Sequence, residues 1–293
     1  MATNVIVLVV DGLQASYLGS YGNGWVETPH FDRLAADGFV FDQALTGCPT
    51  LRAFYEGALR GRATARAEAA GTGDGASLPQ LFRSAGYQTL LLTDEPELRN
   101  HAPQHDFEQV IELAAGDAPQ AAEDDDSTAT AALFVELLEK LPRGDGEREP
   151  DSKPLASPFL LWVHARGWLG PWDAPLERRA RYVEEEDPEP PTFVEPPHEV
   201  LAEDADPDVL WAARQAYAGQ LTLLDEWLGV LLEWLTASPE GQNTLLCLIS
   251  PRGFPLGVHK QLGFPQEAPA HLYGEAVHLA WQLRFPQGHH GTG

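Results

Sequence analysis

Asn4-Val-Ile-Val-Leu-Val-Val-Asp11-Gly12 decides the fold. After Asn4 come six aliphatic residues in succession, four of them valine, with no polar residue between them. A strand apolar on both faces belongs inside a sheet that is covered by helices on both sides. The run stops at Asp11, and Gly12 follows as a turn residue. Ligands of parallel α/β sheets bind beyond the carboxyl ends of the strands, so Asp11 marks the edge where a site is to be sought.

Working outward, the runs 88–92, 159–163, Thr244–Ile249 and 278–283 also read as short buried strands bounded by breakers. Helical patterns separate them. Together they predict an α/β domain with a mostly parallel central sheet flanked by helices. The clearest helix is 208–236, where Leu210, Ala213, Tyr217, Leu221, Leu224, Leu228, Leu231 and Leu235 recur at three- and four-residue steps. Asp208, after Pro207, reads as its N-cap, and Ser238-Pro239-Glu240-Gly241 as its stop. The proposed strands end in Asp11, Thr93-Asp94, His164, Ser250 and Arg284.

Charge sets limits on partners. The 293 residues carry 19 basic and 44 acidic side chains, a formal net charge of -25. That field repels nucleic acid and anionic lipid, so neither a nucleic-acid nor a membrane partner is expected. Two cysteines make no disulfide framework, and no Cys/His spacing reads as a zinc site. Cys247, within an apolar run, reads as a small buried hydrophobe. Cys48, in Thr46-Gly47-Cys48-Pro49, is the candidate for chemistry. No basic leader precedes the first apolar run, which is too short for a signal-peptide core or a membrane span, so a cytoplasmic location is expected.

One domain is expected over 1–286, with acidic or proline-rich insertions at about 115–126, 143–158 and 184–208 and a flexible tail at 287–293. The stretch 184–208 holds eleven acids, six prolines and no lysine or arginine. It reads as an extended, solvated wrap without a strand ladder.

Motif order then points to a family. Leu18-Gly-Ser-Tyr-Gly22 and Thr28-Pro-His-Phe-Asp-Arg-Leu-Ala35 follow the first strand. Cys48-Pro-Thr-Leu-Arg52 leads into Gly57-Ala-Leu-Arg-Gly-Arg62, and Ala85-Gly-Tyr-Gln-Thr89 and Pro158-Phe-Leu-Leu-Trp-Val-His164 come later. Ser250-Pro-Arg-Gly253, Leu256-Gly-Val-His259 and Leu272-Tyr-Gly-Glu-Ala276 complete the series. In this order the chain resembles the sulfatases of the alkaline phosphatase superfamily. Trp172-Asp-Ala-Pro-Leu-Glu177 and Ser250-Pro-Arg-Gly-Phe-Pro255 are most similar to the sulfatase-like proteins of planctomycete bacteria.

The resemblance implies hydrolysis of sulfate esters by a formylglycine made from cysteine, beside a divalent cation. A hard cation requires several oxygen ligands, and cationic side chains must offset charge growing on the sulfuryl oxygens. By resemblance Asp11 is the first metal-binding acid, Cys48 the nucleophile and Arg52 its support. His164 closes the Val-His strand.

Departures follow. The neighbour of Asp11 is Gly12, not a second acid. The modification motif Cys-x-Pro-x-Arg is broken, because proline stands at Pro49 and Thr50 takes its usual place. Thr93-Asp94-Glu95-Pro96 replaces a Gly-Lys-Trp-His segment, and the family's Pro-His pair falls near Gly167-Trp168. Ser-Asp-His-Gly, the second metal cluster, is Ser250-Pro251-Arg252-Gly253, and a later lysine aligns with Phe264, near Lys260.

One assured carboxylate stands where calcium wants around six oxygens. Each lost oxyanion donor removes about 3 kcal/mol of transition-state stabilisation. The leading expectation is therefore a catalytically degraded sulfatase-like protein, a pseudoenzyme with a binding or regulatory role. No cofactor is expected, and calcium or magnesium is the ion implied for an active site. The alternative is an active sulfuric or phosphoric ester hydrolase with Cys48 as nucleophile and His164 or His259 as base. A third reading is recognition of carbohydrate by Trp168 and Trp172. The resemblance also implies a C-terminal subdomain not found here, leaving a flank for a homodimer or protein partner.

Overall fold

The computed structural model describes residues 2–62, 75–100, 105–114, 120–142, 154–185, 187–265 and 272–286. Most of the expected insertion at 143–158, the start of that at 115–126 and the tail at 287–293 lie outside the described residues.

The strands are β1 (Asn4–Val10), β2 (Phe39–Val40), β3 (Gln88–Thr93), β4 (Gln109–Glu112), β5 (Phe159–Ala165), β7 (Thr244–Ile249) and β9 (Trp281–Arg284). They form one sheet in the order β2-β9-β7-β1-β5-β3-β4, and a ribbon pairs β6 (Glu199–Val200) with β8 (Gln261–Leu262). β1 is thus central. It runs parallel to β5 and β7, with Val9 opposite His164 and Ile249. Both faces of β1 are buried, as its unbroken aliphatic run requires.

On one face, Ile6, Leu8 and Val10 pack with α1 (Pro29–Ala36), α4 (Ala129–Lys140) and α6 (Pro207–Ala237). On the other, Val7, Val9 and Trp162 meet Leu51, Tyr55 and Leu59 of α2 (Leu51–Arg60), with α3 (Leu78–Ser84) alongside. Leu221, Leu228 and Leu231 of α6 have no exposed surface, and each such side chain contributes roughly 1.5–3 kcal/mol.

Four sequence expectations are corrected. The N-cap of α6 is Asp206, whose carboxylate accepts from the Asp208 amide at 3.0 Å, because Pro207 has no N–H and takes the first helical position. The last strand begins at Trp281, not His278. It is antiparallel to β7, so Arg284 lies at the opposite end of the sheet from Asp11, His164 and Ser250. The short β4, whose side chains are mostly exposed, carries too weak an apolar pattern to be read from sequence.

The fourth concerns the wrap at 184–208. It does make one ladder, through Glu199 and Val200, and α5 (Leu176–Ala180) holds the stretch at Pro191 and Phe193. Arg179 is fully buried and donates to the carbonyls of Trp172, Pro191 and Phe193. A single guanidinium thus supplies the donors for all three carbonyls. Burial lowers the Arg179 pKa to about 10, opposed by the charge of Asp173, so it remains a cation at neutral pH. Among the described residues no helix is long and apolar enough to cross a membrane.

Candidate functional site

The carboxyl ends of β1, β3, β5 and β7 converge on one edge. There the chain places Asp11, Thr93, His164 and Ser250, as the strand-end pattern predicts. Asp11 has no exposed surface. Its amide donates to the Ala165 carbonyl at 3.0 Å, and its carbonyl accepts from the Trp168 amide at 3.0 Å. Gly12 then turns at φ +81°, and a Cβ there would lie 2.8 Å from Cβ of Trp168. That crowding is the physical reason the residue beside Asp11 is glycine rather than a second acid. Tyr217 of α6 braces the turn, donating to the Gly12 carbonyl at 3.1 Å and accepting from the Gln14 amide at 2.8 Å.

Arg252 occupies the carboxylate. Its Nε lies 2.9 Å from Oδ1 of Asp11 and its Nη2 lies 3.0 Å from Oδ2, a two-pronged pair. Its Nη1 reaches the Pro49 carbonyl at 3.5 Å, and the guanidinium carbon stands 4.6 Å from the centre of the Phe264 ring. Burial alone would lower the Arg252 pKa, but Asp11, with Glu97 and Glu95 beyond it, leaves it raised. By resemblance, position 252 stands within the family's second metal cluster. In the structure it is the partner that Asp11 requires.

Cys48 is half-buried in the loop that Pro49 ties to Arg252. Its amide donates to Oγ1 of Thr46 at 3.3 Å, and its Sγ lies 3.5 Å from Oγ1 of Thr50. Thr50 caps α2 by accepting from the Ala53 amide at 3.3 Å. The threonine that breaks the modification motif is thus the helix cap. Arg52 sits in the first turn of α2, exposed, with no hydrogen bond or ion pair to a described residue.

His164 does not fit the role of base. It is fully buried, and burial lowers its pKa to about 4, with Asp11 opposing and Arg252 adding to the shift. Its Nδ1 lies 3.0 Å from the Tyr55 hydroxyl, which also accepts from Nε1 of Trp162 at 3.2 Å. Nδ1 is thus engaged by the hydroxyl, while Nε2 is buried without a hydrogen-bond partner among the described residues. His259, the other candidate base, is exposed and stacks on Tyr273 with ring centres 3.7 Å apart.

Two acids at the β3 exit were read only as lost cations. Asp94 accepts from the Arg166 amide at 2.7 Å, and burial raises its pKa to about 6. Glu95 is buried 3.7 Å from Nε of Arg166 and accepts from the Glu97 amide at 2.7 Å. Burial raises the Glu95 pKa to about 7, because an ion pair that long does not offset lost hydration. Tyr55, Arg166 and Glu95 were missed as site residues: Tyr55 is brought to the edge by α2, whereas Arg166 and Glu95 directly follow β5 and β3, within reach of the strand-end pattern. Trp168 and Trp172 are buried, with Trp168 stacked on Tyr217 at 4.5 Å, so they offer no flat surface to a sugar.

Comparison with known proteins identifies this architecture. The family model described as Sulfatase matches residues 3–285. The chain belongs to the sulfatase family. It is 32% identical over 95 residues to an arylsulfatase of Clostridium perfringens, covering 30% of this chain and 20% of that protein. With human iduronate 2-sulfatase it shares 25% over 321 aligned positions, covering 88% of this chain and 56% of that one. This sulfatase-family chain spans about half the length of the latter relative.

Solved structures share the fold. The phosphonate monoester hydrolase of Agrobacterium radiobacter superposes with a TM-score of 0.73 at 18% identity, covering 97% of this chain and 68% of that one. The C-terminal periplasmic domain of EcEptC from Escherichia coli gives 0.63 at 16% identity, covering 98% and 73%.

Members of the sulfatase family depend on calcium or magnesium, and the residues here do not fit such an ion. Both oxygens of Asp11 are engaged by Arg252, and no group of three or more His, Cys, Asp or Glu among the described residues could hold a metal.

Proposed function

We propose that this sulfatase-family chain is catalytically degraded and serves in binding or regulation, in the cytoplasm, with a sulfate or phosphate ester as its ligand class. The observation that carries the reading is the two-pronged pair between Arg252 and Asp11, which occupies the one family metal ligand left in the chain. The setting of Cys48 supports it. Pro49 holds its φ near −65° one position earlier than the modification motif does, and Thr50 is committed to capping α2.

Turnover of aryl sulfate and aryl phosphate esters, wild type against Cys48→Ala, tests the proposal. Both proteins are expected to show the same negligible rate, with an unmodified thiol at Cys48 by peptide mass spectrometry after co-expression with a competent converting enzyme. Turnover that disappears in Cys48→Ala, or an aldehyde at position 48, would establish the ester hydrolase instead.

A further inference from the structure

We infer that Arg252 is a cation built into the chain at the place of the family's divalent ion, so that the site is assembled by the protein's own guanidinium. A bound ion would do two things at this edge: neutralise the buried Asp11 carboxylate, and join segments that arrive from different strands. Arg252 does both. Asp11 has no exposed surface, and the guanidinium engages each of its oxygens, at 2.9 and 3.0 Å. From the turn after β7 it thereby joins the exit of β1 to the Cys48 loop, through the Pro49 carbonyl at 3.5 Å.

The surroundings fit the fork. Phe264 lies under the guanidinium plane at 4.6 Å, a face that suits a flat delocalised cation better than a hydrated metal ion. The turn itself is fixed from three sides. The Ser250 hydroxyl donates to the Arg252 carbonyl, the same carbonyl accepts from the Gly12 amide at 3.1 Å, and the Gly253 amide donates to the Ala276 carbonyl at 3.2 Å. The side chain is held by backbone on both sides rather than reaching in from a mobile loop.

Melting temperature reads this independently of turnover. Wild-type protein is expected to melt at the same temperature with calcium, with magnesium or with a chelator. Arg252→Ala leaves a buried carboxylate unpaired and is expected to melt roughly 10 °C lower. Millimolar methylguanidinium should recover part of that loss, where equal sodium chloride does not. Asp11→Asn/Arg252→Met leaves no unpaired charge and is expected to melt above Arg252→Ala, within a few degrees of wild type.

The double variant also decides the matter if Arg252→Ala yields no folded protein, since its folding near wild type would support the pairing. Several results would overturn the assignment. One is a rise in wild-type melting temperature with calcium or magnesium that Asp11→Asn abolishes. Others are an Arg252→Ala protein as stable as wild type, rescue by sodium chloride as good as by methylguanidinium, or a double variant no better than Arg252→Ala.

Discussion

Replacing Glu95 by glutamine should flatten the pH dependence of stability near neutrality. Glu95 is buried, and its ion-pair partner Arg166 is 3.7 Å away. Its pKa rises from 4.5 to about 7, chiefly through burial. A raised folded pKa means that the native state holds the proton more tightly than the unfolded chain does. The contribution to stability is therefore fully present below the unfolded value near 4.5 and is lost as pH rises through about 7. At about 1.4 kcal/mol per pH unit, ionising Glu95 in the fold costs on the order of 3 kcal/mol between pH 4.5 and 8.

Asp94 titrates in the same direction with a pKa near 6, and His164, lowered to about 4, acts oppositely, stabilising the fold as pH rises toward 6.5. The useful quantity is therefore the difference between wild type and Glu95→Gln. Urea unfolding from pH 5 to 8 should show wild type losing on the order of 2–3 kcal/mol relative to the variant across that window. The amide keeps an acceptor for the Glu97 amide, so the two should be closest near pH 5. Parallel profiles for the two proteins would refute the assignment of that loss to Glu95.

Two further outcomes follow from the same geometry. Gly12→Asp, which restores the family's neighbouring acid, should destabilise the fold by several kcal/mol in urea unfolding and create no metal dependence of the melting temperature, because position 12 is at φ +81° and its Cβ would crowd Trp168. Arg179→Met keeps the apolar stem but leaves the carbonyls of Trp172, Pro191 and Phe193 without their donor. It should cost roughly 2–4 kcal/mol and open 184–198 to limited proteolysis, whereas wild-type resistance would show that the wrap is held by other contacts.

The sequence by itself determined the strand core and the family. An unbroken aliphatic run such as Val5 to Val10 has few places to go except the middle of a covered sheet, and the polar residues at 11, 93, 164 and 250 mark where four parallel strands leave the core. That information is local, carried by side-chain hydrophobicity and spacing. Asp206 as the cap of α6 was within reach of the same reasoning, since a proline at the first helical position puts the cap one residue before it.

Tertiary structure decided what the site residues are for. Asp11 and Arg252 are 241 positions apart, and only the pairing of β1 with β7 turns a missing metal ligand into the partner of the remaining one. The direction of β9 removed Arg284 from the edge, a matter of chain path that composition does not encode. Burial is likewise collective. The lowered pKa of His164, the raised pKa of Glu95 and the inward-facing Trp168 and Trp172 all depend on how much of the molecule surrounds each group, and charge and polarisability act across space rather than along the chain.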